Sequence, residues 1–212
     1  IEENAKEKAG IFKKSIPAIS CQQIDGVGDV LRKCAEKTMC ELEIVGDDIE
    51  FSSRFVTSNA GVVQNRICII TEETQFMHTP VPLQGAHQAR NCGLALAAIC
   101  KLKTLGFKFE DANLYESLGN STIEGRMELA WDKPKILVDG AHNPVSLQSL
   151  IRSIGAHIPY DSMVCVFGCC ADKDVDGMLR ELSLGADKII FTKSQGNPRA
   201  AEPLVLQRQF AE

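Results

Sequence analysis

No stretch of this chain approaches the roughly 18 consecutive apolar residues that a bilayer-spanning helix needs, so nothing in it reads as a membrane segment. Its start, Ile1-Glu2-Glu3-Asn4, lacks the layout of a secretory signal peptide. Lysines and arginines are scattered among acids, and the formal net charge of the 212 residues is −5, which argues against a nucleic-acid partner. None of the nine cysteines, an odd number, forms a Cys-x-x-Cys pair. Most sit in apolar runs, such as Cys68 in Ile67-Cys68-Ile69-Ile70 and Cys165 in Met163-Val164-Cys165-Val166. They read as reduced core residues of a cytoplasmic protein rather than as metal ligands or disulfide partners. Two phosphate-binding motifs are absent as well. Gly26-Val27-Gly28 is not followed by a glycine at position 31, where Leu31 stands, and no Gly-x-x-x-x-Gly-Lys-Ser/Thr occurs. No internal repeat and no low-complexity tract is found.

Hydrophobic residues make up 44% of the chain, enough for one large domain or two small ones. Ile16 to Cys21, Leu42 to Val45, Ile49 to Phe51 and the β-branched run Val62 to Thr71 read as strands. Gly28 to Thr38 has helical spacing. Pro80 to Gly85 reads as an extended lead-in to a long helix with Leu94, Ala95, Ala98, Ile99 and Leu102 as its apolar stripe. A shorter helix covers Asp111 to Leu118. The polar stretch Gly119 to Gly125 is a candidate linker, dividing the chain into residues 1–120 and 121–212. Beyond it the order is strand (135–139), helix (144–154), strand (162–168), helix (174–183), strand (187–193), which predicts an α/β unit with a mostly parallel sheet. The chain has no initiator Met and ends at Phe210-Ala211-Glu212, inside a helix that begins near Pro203; a domain boundary belongs in a polar linker, so the expectation is a piece of a longer protein.

The segment richest in chemistry is Val138-Asp139-Gly140-Ala141-His142-Asn143-Pro144. An apolar strand runs into a turn that holds an acid and an imidazole, and a helix follows. Asn143 suits the N-cap and Pro144 the first helical position. Open α/β folds place ligand groups at such strand ends. An Asp-Gly turn before a helix is the ordinary reading, and the residues alone leave both open. Four further segments stand in a defined order around this one: Glu7-Lys8-Ala9-Gly10-Ile11-Phe12-Lys13, Gly85-Ala86-His87-Gln88-Ala89-Arg90-Asn91, Glu124-Gly125-Arg126-Met127-Glu128, and Val166-Phe167-Gly168 with Asp172-Lys173-Asp174. As an ordered set they resemble the folylpolyglutamate synthase/dihydrofolate synthase branch of the Mur ligase family, over nearly the whole chain.

That resemblance implies the end of a central ATP-binding domain followed by a Rossmann-like C-terminal Mur ligase domain. It places the phosphate loop, and other Mg²⁺ ligands, upstream of Glu7. At the position of Lys8 it implies a lysine converted by CO₂ to a carbamate, an anionic oxygen ligand suited to Mg²⁺. Carbamylation needs the neutral amine, which burial or neighbouring cations favour. Read from its surroundings alone, Lys8 is a solvated lysine in a mixed-charge helical turn. The resemblance assigns Asn91 to the nucleotide, with His87 and Gln88 as supporting residues. It assigns Arg126 to the nucleotide phosphates, which a planar, permanently charged fork of donors suits. Asp139 is implied as a nucleotide contact at the ribose hydroxyls. His142 is implied near the reacting phosphate and the incoming glutamate, either as a base toward the amine or as a cation toward phosphate. His78 and His157 match no motif and read as ordinary surface or boundary residues.

The implied activity is an ATP- and Mg²⁺-dependent amide ligase that adds L-glutamate to folates, to dihydropteroate, or to both, through an acyl phosphate. The implied protein is a cytoplasmic monomer with no nucleic-acid or membrane partner. Without the upstream loop, the 212 residues are not expected to make amide bonds by themselves. Two rivals are a Mur ligase of peptidoglycan synthesis, which acts on a UDP-linked acceptor, and a non-catalytic α/β binding module.

Overall fold

The computed structural model describes residues 2–24, 26–57, 63–72, 74–83 and 85–211. Val62, the expected first residue of one strand, and Gln84, in the expected lead-in, lie outside the described residues. The chain divides into two compact units, Ile1–Thr122 and Ile123–Glu212.

In the first unit, α1 (Glu2–Ala9) packs on α2 (Val27–Thr38) and buries Ala5 and Ala9. Leu31 and Ala35 are the buried positions of α2, one helical turn apart. This helix is the crossover between two parallel strands, β1 (Ala18–Cys21) and β2 (Leu42–Val45). It stops at Met39, which is left-handed with φ 54°. There the N–H groups of Met39 and Cys40 return to the carbonyls of Glu36 and Ala35, satisfying two otherwise open acceptors.

An antiparallel sheet of β3 (Glu50–Thr57), β4 (Val63–Ile70) and β5 (Gln75–Val81) follows, in that order. Its inner face carries Ile67, Ile69, Phe76 and Val81 against Ala89, Cys92, Leu96, Ala97 and Cys100 of α3 (Ala86–Thr104). A Cβ on Gly93 would stand 2.5 Å from the Phe51 ring, so this glycine is what lets α3 sit on β3. The expected stripe Leu94, Ala95, Ala98, Ile99, Leu102 is therefore displaced around the helix, with Ala95 exposed. The middle of the helix, Cys92 to Cys100, is apolar on every side, so its periodicity fixes the face poorly. Close packing against the sheet selects the side with the smallest residues. α4 (Asp111–Gly119) lies against β5, with the Tyr115 and Phe76 rings 5.4 Å apart.

The strand β5 was not expected. It is an edge strand, where Pro80 is tolerated because no ladder partner needs its missing N–H. A register shift between Ile67 and Ile69 breaks its pairing with β4, and His78 opposite this break has φ 54°. Cys68 is a second departure from expectation. Its neighbours Ile67 and Ile69 are fully buried, but strand alternation puts Cys68 on the other face. Cys40, Cys92 and Cys100 do lie in the core.

The second unit opens with an antiparallel hairpin of β6 (Glu128–Asp132) and β7 (Lys135–Val138). The strand β6 was also unexpected: all of it is exposed, so no buried face imprints an alternating pattern. Then come α5 (Pro144–His157), β8 (Val164–Phe167), α6 (Val175–Ser183), β9 (Lys188–Phe191) and α7 (Pro203–Ala211). The α/β alternation is as expected, and β8 and β9 pair in parallel. Leu147, Phe167, Val175, Met178, Leu179, Leu182, Ala201 and Leu206 form the core, with Cys165, Ile189 and Phe191 packed against it. Val164, Val166 and Ile190 alternate to the opposite side of the same strands and are exposed. Asp174 caps α6, accepting the Gly177 N–H at 2.9 Å. Among the described residues, no helix is long and apolar enough to cross a membrane.

Candidate active site

The turn between β7 and α5 is held by its own side chains. Asn143 caps α5: its Oδ1 accepts the Ser146 N–H at 2.8 Å, and the Ser146 hydroxyl accepts the Asn143 N–H at 3.1 Å. This reciprocal box, with Pro144 behind it, fixes where the helix starts. The same hydroxyl also accepts the His142 N–H at 3.1 Å. Ser146 had no role in the sequence reading; the Asn-Pro-x-Ser spacing is the signal that could have found it.

Asp139, half-buried, braces both sides of the turn. Its Oδ1 accepts the Ala141 N–H at 2.7 Å and its Oδ2 accepts the Met127 N–H at 2.9 Å. A carboxylate has about four acceptor positions, so lone pairs remain for a further donor. Each oxygen is nevertheless already tied to backbone. The exposed imidazole of His142 stands with Nδ1 3.0 Å from the Gly140 carbonyl. A carbonyl only accepts, so Nδ1 carries the proton in this contact. The neutral ring therefore keeps Nε2 as its free base.

Arg126 is reached through a turn with two left-handed residues, Gly125 (φ 65°) and Met127 (φ 46°). Glu128, which the sequence reading left without a role, accepts the Gly125 N–H at 2.7 Å. The Gly125 carbonyl takes the Gly140 N–H at 2.8 Å and the Arg126 Nη1 at 3.3 Å. A Cβ on Gly140 would fall 2.2 Å from Arg126 Nη1. The guanidinium thus lies over the Asp139–His142 turn, and only a glycine at 140 leaves it room. Among the described residues, no carboxylate forms a salt bridge with it. The structure brings Arg126, Asp139 and His142 together in the second unit.

Asn91 and Lys8 belong to the first unit. Asn91 is exposed in the second turn of α3 and donates from Nδ2 to Oε1 of the buried Gln88 at 3.2 Å, which leaves its Oδ1 as an acceptor. The start of α3 is set by Asn65, which sequence reasoning missed. This buried carboxamide donates to the carbonyls of Leu83 and Gly85, both at 3.1 Å. Lys8 is exposed in the last turn of α1, with Ala9 beside it turned into the core. Among the described residues, no three His, Cys, Asp or Glu side chains gather as a metal site. A carbamate on Lys8 would add a single anionic group with two oxygens, so these residues do not make a magnesium centre by themselves.

Residues 125–212 match the Mur ligase glutamate ligase domain, and the match begins at Gly125, the first residue of the turn that carries Arg126. The chain is similar to the dihydrofolate synthase/folylpolyglutamate synthase of Mycobacterium tuberculosis, at 27% identity over 93% of this chain and 41% of that protein. The structure of the Mycobacterium tuberculosis folylpolyglutamate synthase complexed with ADP superimposes with a TM-score of 0.87 at 25% identity, covering 99% of this chain and 46% of that one. The UDP-N-acetylmuramoyl-L-alanyl-D-glutamate–2,6-diaminopimelate ligase of Vibrio parahaemolyticus is 34% identical, over 61% of this chain and 26% of its own length. The chain thus spans less than half the length of these relatives.

Proposed function

We propose that the chain takes part in an ATP-dependent ligation of L-glutamate to a folate, either a tetrahydrofolate or dihydropteroate. Residues 1–120 then end the ATP-binding domain and residues 121–212 belong to the glutamate ligase domain. The observation that carries this reading is Arg126: an exposed guanidinium with no carboxylate partner among the described residues, laid over a turn that also holds His142. Such a group suits phosphate oxygens, which it can meet with two parallel N–H bonds.

In this reading the terminal phosphoryl group of ATP passes to a folate carboxylate. The glutamate amine attacks the resulting acyl phosphate, and phosphate leaves from the tetrahedral intermediate. Arg126 binds phosphate charge. His142, with Nδ1 held on Gly140, takes the amine proton at Nε2 or, once protonated, faces the leaving phosphate. Asp139 fixes the turn and offers its remaining lone pairs to ribose hydroxyls. Asn91 offers Oδ1 to the base or ribose. Lys8 is the carbamate candidate, and it does not complete a Mg²⁺ site by itself. A cytoplasmic monomer fits this role.

The folate acceptor is favoured over a UDP-linked one because the folate-synthase likeness runs through both units. The test uses protein expressed from its complete reading frame with ATP, Mg²⁺, labelled glutamate and a folate acceptor. ATP-dependent incorporation that His142→Ala abolishes supports the reading. No incorporation into any folate, with incorporation into a UDP-linked acceptor, overturns it.

A further inference from the structure

The outer face of the β3–β4–β5 sheet, opposite α3, collects Arg54, Arg66, Cys68 and His78. Arg54 and Arg66 are direct partners across the β3–β4 ladder. Like charges in this position repel, and among the described residues neither forms a salt bridge with a carboxylate. Beside them the irregularity in β4–β5 pairing has a chemical result. With φ 54°, His78 turns its backbone N–H away from the ladder and onto Cys68 Sγ, at 3.3 Å. The His78 ring returns to the same sulfur, with Nδ1 3.4 Å from Sγ. Arg54 Nη2 lies 3.3 Å from that nitrogen, and Arg66 Nη1 donates to the His78 carbonyl at 3.3 Å. A guanidinium only donates, so Nδ1 is the unprotonated nitrogen, and its single lone pair can take the thiol proton once Arg54 turns to another acceptor.

We propose that Cys68 is a site of covalent S-thiolation by small acidic disulfides, whose carboxylates Arg54 and Arg66 hold. The Cys68 sulfur gives its proton to His78 Nδ1 and attacks one sulfur of R–S–S–R. The Cys68–S–S–R bond forms as the original S–S bond breaks. The departing R–S⁻ takes up a proton and leaves as R–SH, so the disulfide is the oxidant and Cys68 the group oxidised. Most of the other thiols are poor competitors. Burial pushes Cys92, Cys100, Cys165 and Cys169 up from the ordinary thiol range, and the Cys40 thiol is buried and donates to the Ile16 carbonyl. Cys21, Cys34 and Cys170 are half-buried and serve as internal references.

The experiment exposes the native full chain to oxidised glutathione, which carries carboxylates, and separately to cystamine, a cationic disulfide. Peptide mass spectrometry follows each cysteine with time. Oxidised glutathione should modify Cys68 about tenfold faster than Cys21, Cys34 or Cys170, and faster than cystamine does, because paired positive charges raise the encounter rate of an anion by at least about that factor. In an Arg54→Gln/Arg66→Gln variant the preference for oxidised glutathione over cystamine should disappear, with Cys21 unaffected. If that variant unfolds, shown by modification of Cys92 and Cys100, the comparison of the two disulfides on the unmutated chain still decides. Equal rates at Cys68 and the reference cysteines, or cystamine as fast as oxidised glutathione, overturn the proposal.

Discussion

Gly140 and Arg126 fill complementary parts of one space: the position where a Cβ of residue 140 would stand lies 2.2 Å from Arg126 Nη1. A methyl group there must move the guanidinium, which is the mobile end of an exposed side chain. Gly140→Ala should therefore change stability by less than about 0.5 kcal/mol. It should weaken ADP binding about tenfold, close to 1.4 kcal/mol. In an Arg126→Ala background the same substitution should have almost no further effect, because its target is gone. Calorimetric titration of ADP into the four variants of this cycle measures the coupling. Additive losses would mean that the two residues act separately.

Asp139 makes a different kind of contribution. Its two oxygens satisfy backbone donors of Met127 and Ala141, so Asp139→Asn turns one acceptor into a donor facing an N–H. Leaving such a group unsatisfied costs about 1–3 kcal/mol. Urea denaturation should show that loss in the absence of any nucleotide. An Asn variant as stable as the parent would assign Asp139 to ligand contact alone.

Gly93→Ala places a methyl group 2.5 Å from the Phe51 ring. Overpacking of this kind costs about 1–3 kcal/mol, and Phe51→Leu should recover part of it by shortening the opposing side chain. Thermal melts of the single and double variants test this. An unaltered melting temperature in Gly93→Ala would show that α3 can lift from β3 without penalty.

Burial lowers the pKa of His157 below its ordinary value of about 6.5. The unfolded chain then binds a proton at a higher pH than the folded chain does. The stability this histidine contributes is complete above about pH 6.5 and is lost as the pH falls toward the folded pKa. His157→Gln should flatten that part of the stability–pH curve. Denaturant titrations across the range compare the two proteins, and parallel curves would rule the histidine out as a source of acid sensitivity.

Val164, Val166 and Ile190 leave an apolar strip on the β8–β9 pair. Val166→Lys should lower light scattering at high protein concentration with little loss of stability, because the residue is largely exposed. Increased scattering would mean that the strip is needed for folding.

The features legible in the sequence were those set by neighbours along the chain. Asn143 and Pro144 act within one helical turn of themselves, so residue type and spacing were enough. The strand β6 is exposed throughout and carries no buried alternation, and in β5 the alternation of buried Phe76, Thr79 and Val81 is broken at Met77 and His78. For α3, the uniformly apolar middle from Cys92 to Cys100 left its inner face to be chosen by Phe51. The site divides in the same way. Residue types pointed to Asp139, His142 and Arg126, but only the fold shows that both Asp139 oxygens are committed to backbone. Only the fold shows that His142 is pinned through Nδ1. Lys8 is exposed, as the solvated-lysine reading asks, and nothing in its local sequence separates that reading from a carbamate.

Trp131, the single tryptophan of the chain, lies in β6 and hence in the second unit. Fluorescence excited selectively in the indole band therefore reports on that unit alone, while far-ultraviolet dichroism sums the helices of both. If the two units melt as one cooperative body, the two signals will trace the same transition. If they separate, the chain itself provides the label that times one unit against the other, and no dye or tag need be added to observe it.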